Sequence, residues 1–150
     1  MINWKKDGER RGGELYPDGV YKVGITNWEY TTATTGMAQV RVKAEIVEPD
    51  DHAGKTIVDH FALSDAAQWK IARLVCAIID KDTLPNMEPN TSAFNSVLDQ
   101  LVGQSVYWVN QQRAYNGTPR NDIVDWKPTK DDLIEFVGKD DILPDFLKEE

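Results

Sequence analysis

The chain has 150 residues, 41% of them hydrophobic and 28% charged, and a net charge of −8. That is one domain's worth of sequence, long enough to bury a core, and its longest strongly apolar run, Leu74 to Ile79, is far short of a membrane span. Residues 1–128 hold 14 basic and 17 acidic side chains and residues 129–150 hold 3 and 8, so more than half of the net negative charge sits at the end of the chain and the body can still present a basic face.

The first stretch, MINWKKDGERRGG, has basic residues but no apolar h-region, so it does not read as a signal peptide. Residues 1–18 are polar and Gly-rich and read as a flexible arm ending in a Pro17-Asp18-Gly19 turn. VYKVGITNWEY, 20–30, reads as a first strand. Strict alternation puts Tyr21, Val23 and Ile25 on one face and Lys22, Gly24, Thr26 and Trp28 on the other. TTATTG, 31–36, reads as a flexible loop. In AQVRVKAEIVE, 38–48, Val40, Val42, Ala44 and Ile46 alternate with Arg41, Lys43 and Glu45, the mark of a two-faced strand.

PDDHAG, 49–54, is a turn, and KTIVDHFAL, 55–63, is a third strand with Ile57, Phe61 and Leu63 on one side. Ser64-Asp65 then reads as the opening of a helix, with Ser64 as N-cap. Ala67, Ile71, Leu74, Val75 and Ile78 recur at helical spacing, and Trp69, near the helix start, is expected to pack. Cys76, the only cysteine, lies among apolar residues and reads as a small core hydrophobe; no intrachain disulfide is available, and the cytoplasm is the expected compartment. LPNMEPN, 84–90, breaks the helix, and a shorter one near 91–101 carries Phe94, Val97, Leu98 and Leu101 before Gly103 ends it. SVYWVNQQRAY, 105–115, is a fourth strand. Asn116-Gly117 reverses it, since both residues tolerate the positive φ of a tight hairpin turn. TPRNDIVDW, 118–126, is the fifth strand, stopped by Pro128.

The order β-β-β-α(α)-β-β is that of an OB-fold, a five-stranded, partly open barrel with a helical insertion. An OB-fold-like domain is therefore expected over 19–128, followed by an acidic tail over 129–150. An SH3-like barrel and an α+β sandwich compete with it. In the OB-fold, ligands cross the face of strands 2 and 3, flanked by the loops joining strands 1–2 and 4–5.

No catalytic constellation stands out. His52 and His60 lie in no metal-ligand spacing, and Asp59 and His60 point to opposite faces of one strand. No phosphate-binding, dinucleotide-binding or nucleophile-elbow motif is present. The expectation is a non-enzyme with no metal and no cofactor. The residue types of a single-strand binder do occur on the expected face and loops: cations for phosphates and aromatic rings for bases. The candidates are Lys22, Trp28 and Tyr30 on strand 1, Arg41 and Lys43 on strand 2, and Tyr107, Arg113, Tyr115, Arg120 and Trp126 on the last two strands. Alternation leaves open which of Tyr107 and Trp108 is core. It also leaves Trp28 and Trp126 divided between platform and core.

An ordered set of segments carries a family resemblance. DGVYKVGI at 18–25, HAGKTIVDHFALS at 52–64, WKIARLV at 69–75, LVGQSVYW at 101–108 and YNGTPRNDIVDWKP at 115–128 span most of the body. Together they resemble a phage protein family catalogued as a domain of unknown function and placed beside recombination genes. The resemblance implies an OB-like fold and single-stranded-DNA binding in replication or recombination. DDILPDF, 140–146, is similar to the acidic Pro-Phe tip of bacterial single-stranded-DNA-binding proteins, which recruits repair and replication partners. That likeness implies a partner-binding role for Asp140, Asp141, Ile142, Pro144 and Phe146, although Leu147 to Glu150 extend past the Phe at which such tips end.

The leading expectation is a sequence-tolerant single-stranded-DNA-binding protein, with replication or recombination proteins as further partners through the tail. An edge strand pairing between two copies would make it a homodimer. The rivals are a phage inhibitor protein that mimics DNA and an accessory subunit of a recombinase.

Overall fold

The computed structural model describes residues 15–115 and 117–129. The tail candidates Asp140, Asp141, Ile142, Pro144 and Phe146 lie outside the described residues, as do residues 1–14 of the expected arm. The five strands are β1 (Gly19–Thr32), β2 (Ala38–Glu48), β3 (Thr56–Ala62), β4 (Ser105–Tyr115) and β5 (Thr118–Lys127). Two helices, α1 (Gln68–Ile78) and α2 (Ser92–Leu101), separate β3 from β4. All strand pairs are antiparallel, in the order β3-β2-β1-β4-β5. The sheet curls into a half-barrel of OB-fold-like type.

Alternation builds the inner face. Val23, Ile25, Val40, Val42, Ala44, Ile46, Phe61, Val106 and Trp108 are each at most 2% exposed and line one core with the apolar stripes of both helices. Those stripes are Ile71, Leu74 and Val75 on α1 and Phe94, Val97, Leu98 and Leu101 on α2. Thr91 caps α2, its hydroxyl accepting from the Phe94 amide at 3.3 Å. The start of α1 departs from expectation. Ser64 does not cap it with its side chain; its carbonyl accepts from the Ala67 and Gln68 amides, and the helix begins one turn later. At the hairpin, Tyr115 pairs with Thr118 and Gly117 has a φ of +78°, a conformation that favours glycine.

A β-bulge corrects the face assignment of β1. Ile25 pairs with Ala44 and Asn27 with Lys43, so Thr26 is the extra residue. Beyond it the parity inverts. Trp28 now opposes Val42 and Tyr30 opposes Val40, on the core side and not with Lys22.

The end of the expected arm is also built in. Tyr16 is 2% exposed. Its hydroxyl donates to the Thr56 carbonyl at 2.8 Å, and its own carbonyl accepts from Gln112 Nε2 at 2.7 Å. Residues 15–18 therefore fasten to the barrel beside Asn110 and Asn121.

No backbone ladder joins β3 to β5, so the half-barrel has a gap, and α1 bridges it. Phe61 and Trp126 meet across the gap with ring centroids 5.3 Å apart. Lys70 Nζ lies 5.7 Å from the Phe61 centroid and 5.8 Å from that of Trp126. It reaches Asp59 of β3 at 3.9 Å. Nearly one turn on, Arg73 grips Asp125 of β5 through Nε at 2.8 Å and Nη2 at 3.0 Å.

Candidate nucleic-acid interface

The outer faces of β2 and β3 follow from the same alternation that fills the core. Arg41 and Lys43 stand between buried Val40, Val42 and Ala44, and Arg41 pairs in register with His60. Arg41 Nη1 is held by Glu29 Oε1 at 3.0 Å. Lys43 makes no ion pair with a described residue. His60 is held below the ordinary imidazole range, first by burial and then by the positive charges of Arg41, Arg120 and Lys70. Three cations from three elements, β2, β5 and α1, thus act on one point of β3. The fifth strand brings Arg120 there because the β4–β5 hairpin curls toward the open edge of β3.

The remaining candidates divide. Lys22 and Tyr107 pair across β1 and β4, and both are half-buried. Trp108 is 0% exposed, so it is the core member of its pair with Tyr107. Arg113 pairs in register with Arg120 and is tied to Asp122 at 3.2 Å. Tyr115 ends β4 at the hairpin.

Trp126 is a correction. It is 2% exposed and stacked in the core against Phe61, so it offers no face to a ligand. Trp28 and Tyr30 lie beneath α2 as a consequence of the bulge. Their rings meet edge to face at 5.3 Å. Trp28 Nε1 donates to Asp99 Oδ1 at 2.9 Å, and the Tyr30 hydroxyl donates to Asn95 Oδ1. Burial pushes the Tyr30 phenol up. Both rings are half-buried structural supports of α2, and they do not share the face of Arg41 and Lys43.

Three residues of this region fell outside the sequence candidates. His60 looked ordinary but sits at the centre of the cationic cluster. Lys70 crosses the barrel gap. Trp69, expected to pack, is 61% exposed. Its position was recoverable: at about 100° per residue, Trp69 lies roughly opposite Ile71 and Leu74 on α1.

Elsewhere, an apolar groove of about 290 Å³ runs between α1, α2 and the connection joining them, lined by Ile71, Val75, Leu84, Met87, Phe94 and Val97. Cys76, at its rim, is exposed rather than core. Among the described residues no cluster of three or more His, Cys, Asp or Glu could hold a metal ion. No helix among them is long and apolar enough to cross a membrane.

No curated protein matches the chain. A family model does, over residues 5–118, a span that runs from before β1 to the start of β5. The chain belongs to the family described as protein of unknown function (DUF669).

Proposed function

We propose that the protein binds single-stranded DNA, without strong sequence preference, across the outer face of β2 and β3, and that it serves phage replication or recombination. The observation that carries this reading is the action of Arg41, Arg120 and Lys70 on His60, with Lys43 beside Arg41 on the outer face of β2, the face that OB-folds use for ligands. A cationic surface of this kind neutralises phosphates and releases counterions whatever the base sequence. The ion pairs of Arg41 with Glu29 and Arg113 with Asp122 temper the positive field. Affinity is therefore expected to be moderate and to fall with salt. The net negative charge of 129–150 is expected to compete with phosphate, an effect that salt screens over about 8–10 Å.

The test is a titration of the full chain against oligo-dT of about 30 nucleotides, at low and at high salt, beside the double variant Arg41→Glu, Lys43→Glu. Saturable binding that weakens with salt is expected. The variant should bind roughly 10-fold or more weakly, with a shallower salt dependence. A folded wild-type protein that does not bind at either salt would overturn the reading and favour the protein-interaction alternative.

A further inference from the structure

Trp69 is an anomaly of the fold. A tryptophan carries one of the largest apolar surfaces of any side chain, and burying it is worth a few kcal/mol. Here it stands 61% exposed on α1, turned away from the stripe that packs on the barrel. Packing therefore does not account for it.

Its neighbours point to a ligand class. Lys70, the next residue, holds its ammonium over the gap between β3 and β5. Arg73, one helical turn on and on the same face as Trp69, has a side chain that is half exposed. Its Nε and Nη2 are committed to Asp125, which fixes the plane of the guanidinium. Nη1 makes no hydrogen bond with a described residue and is left to meet an anion. An exposed ring with an oriented guanidinium and an ammonium close by on the same helix has the composition of a base-stacking platform with adjoining phosphate contacts.

We infer that Trp69 is a base-stacking residue of a single strand whose adjoining phosphates meet Arg73 and Lys70. This inference rests on the reading above and extends it. The strand leaves the outer face of β2 and β3 near His60, crosses the gap at Lys70 and continues along the exposed side of α1. The binding track is thus longer than the OB-fold face alone. It also recruits a helix whose other side closes the barrel.

The experiment uses the full chain and a fluorescein-labelled oligo-dT of about 30 nucleotides, with affinity read by anisotropy and stacking by intrinsic fluorescence. Among the described tryptophans, Trp108 and Trp126 are buried and Trp28 is half-buried under α2. In a Trp4→Phe background Trp69 should therefore supply most of the quenching. Trp69→Ala is expected to weaken binding at least about fivefold, the effect of losing one stacked base. Trp69→Phe should retain most of the affinity and lose most of the quenching. An unchanged melting temperature for both variants shows that the effect is on the site, as an exposed position allows. Binding by Trp69→Ala within twofold of wild type overturns the inference and leaves the β2–β3 interface standing. A loss in Trp69→Ala with none in Arg41→Glu, Lys43→Glu keeps Trp69 as a stacking site and overturns the β2–β3 face instead. No binding by the folded wild-type chain overturns both.

Discussion

The two open edges of the half-barrel solve one problem in two ways. Each places a buried carboxylate where no neighbouring strand can satisfy it, and each receives a cation from α1. On β5, Asp125 takes two hydrogen bonds from Arg73, one from the Trp126 amide at 2.8 Å, and the ammonium of Lys127 at 3.5 Å. On β3, Asp59 takes one from the His60 amide at 2.9 Å and a single distant ammonium, and its Oδ2 has no hydrogen-bond partner. The result is a carboxyl pushed up to about 7 from its usual 3.8. Burial is the chief cause, and the nearby Asp122 adds to it. Lys70 and the His60 amide only partly oppose it. The lesson is that α1 is riveted to β5 and only leans on β3. The loosely held edge is the one beside His60 and the proposed interface.

Breaking the strong edge should cost the most. Arg73→Ala leaves Asp125 buried with Lys127 and one amide. Loss of a fully buried pair's partner costs about 3–5 kcal/mol, and the half-exposed Arg73 side chain brings the expectation to about 2 kcal/mol. Urea unfolding at neutral pH measures it. A loss below about 0.5 kcal/mol would show that the bidentate pair is not what fastens α1.

The weak edge should respond to pH. Because Asp59 binds its proton more tightly in the folded protein than in the unfolded chain, its contribution is complete below about pH 4 and is lost as the pH rises through about 7. Asp59→Asn, which mimics the neutral acid, should therefore be more stable than wild type at pH 8, by about 1 kcal/mol or more. The two proteins should converge near pH 4. Melting curves across that range would refute the contrast between the edges if the gap did not grow with pH.

Lys70→Gln should have the smallest effect. Its ion pair is long, and Asp59 can take up a proton when the ammonium is gone, so the expected loss is below about 1 kcal/mol. The same substitution in the Asp59→Asn background should cost less still, which a double-mutant cycle reads directly.

Local pattern carried much of this protein into view. The limits of β2 and β4 coincide with their alternating segments, and the inner face of β2 is the one that alternation marks. The cationic pair Arg41 and Lys43 was visible for the same reason: a strand with one apolar face declares its other face. Trp69 was misjudged: the size of its apolar surface argued for packing, yet it lies opposite the stripe of its helix and stands exposed.

What pattern could not supply came from contacts between distant segments. The bulge at Thr26 moves Trp28 and Tyr30 to the core side because their register with Val42 and Val40 is set by the partner strand. Trp126 is core because Phe61 meets it across a gap that no ladder spans, and Tyr16 is anchored by acceptors and donors 40 to 105 residues away. The cluster around His60 exists only because the hairpin and α1 bring Arg120 and Lys70 to the edge of β3. Alternation along one strand tells a residue which side it faces. It does not tell that residue what is waiting there, because the neighbour is chosen by the curl of the sheet and the closing of the barrel.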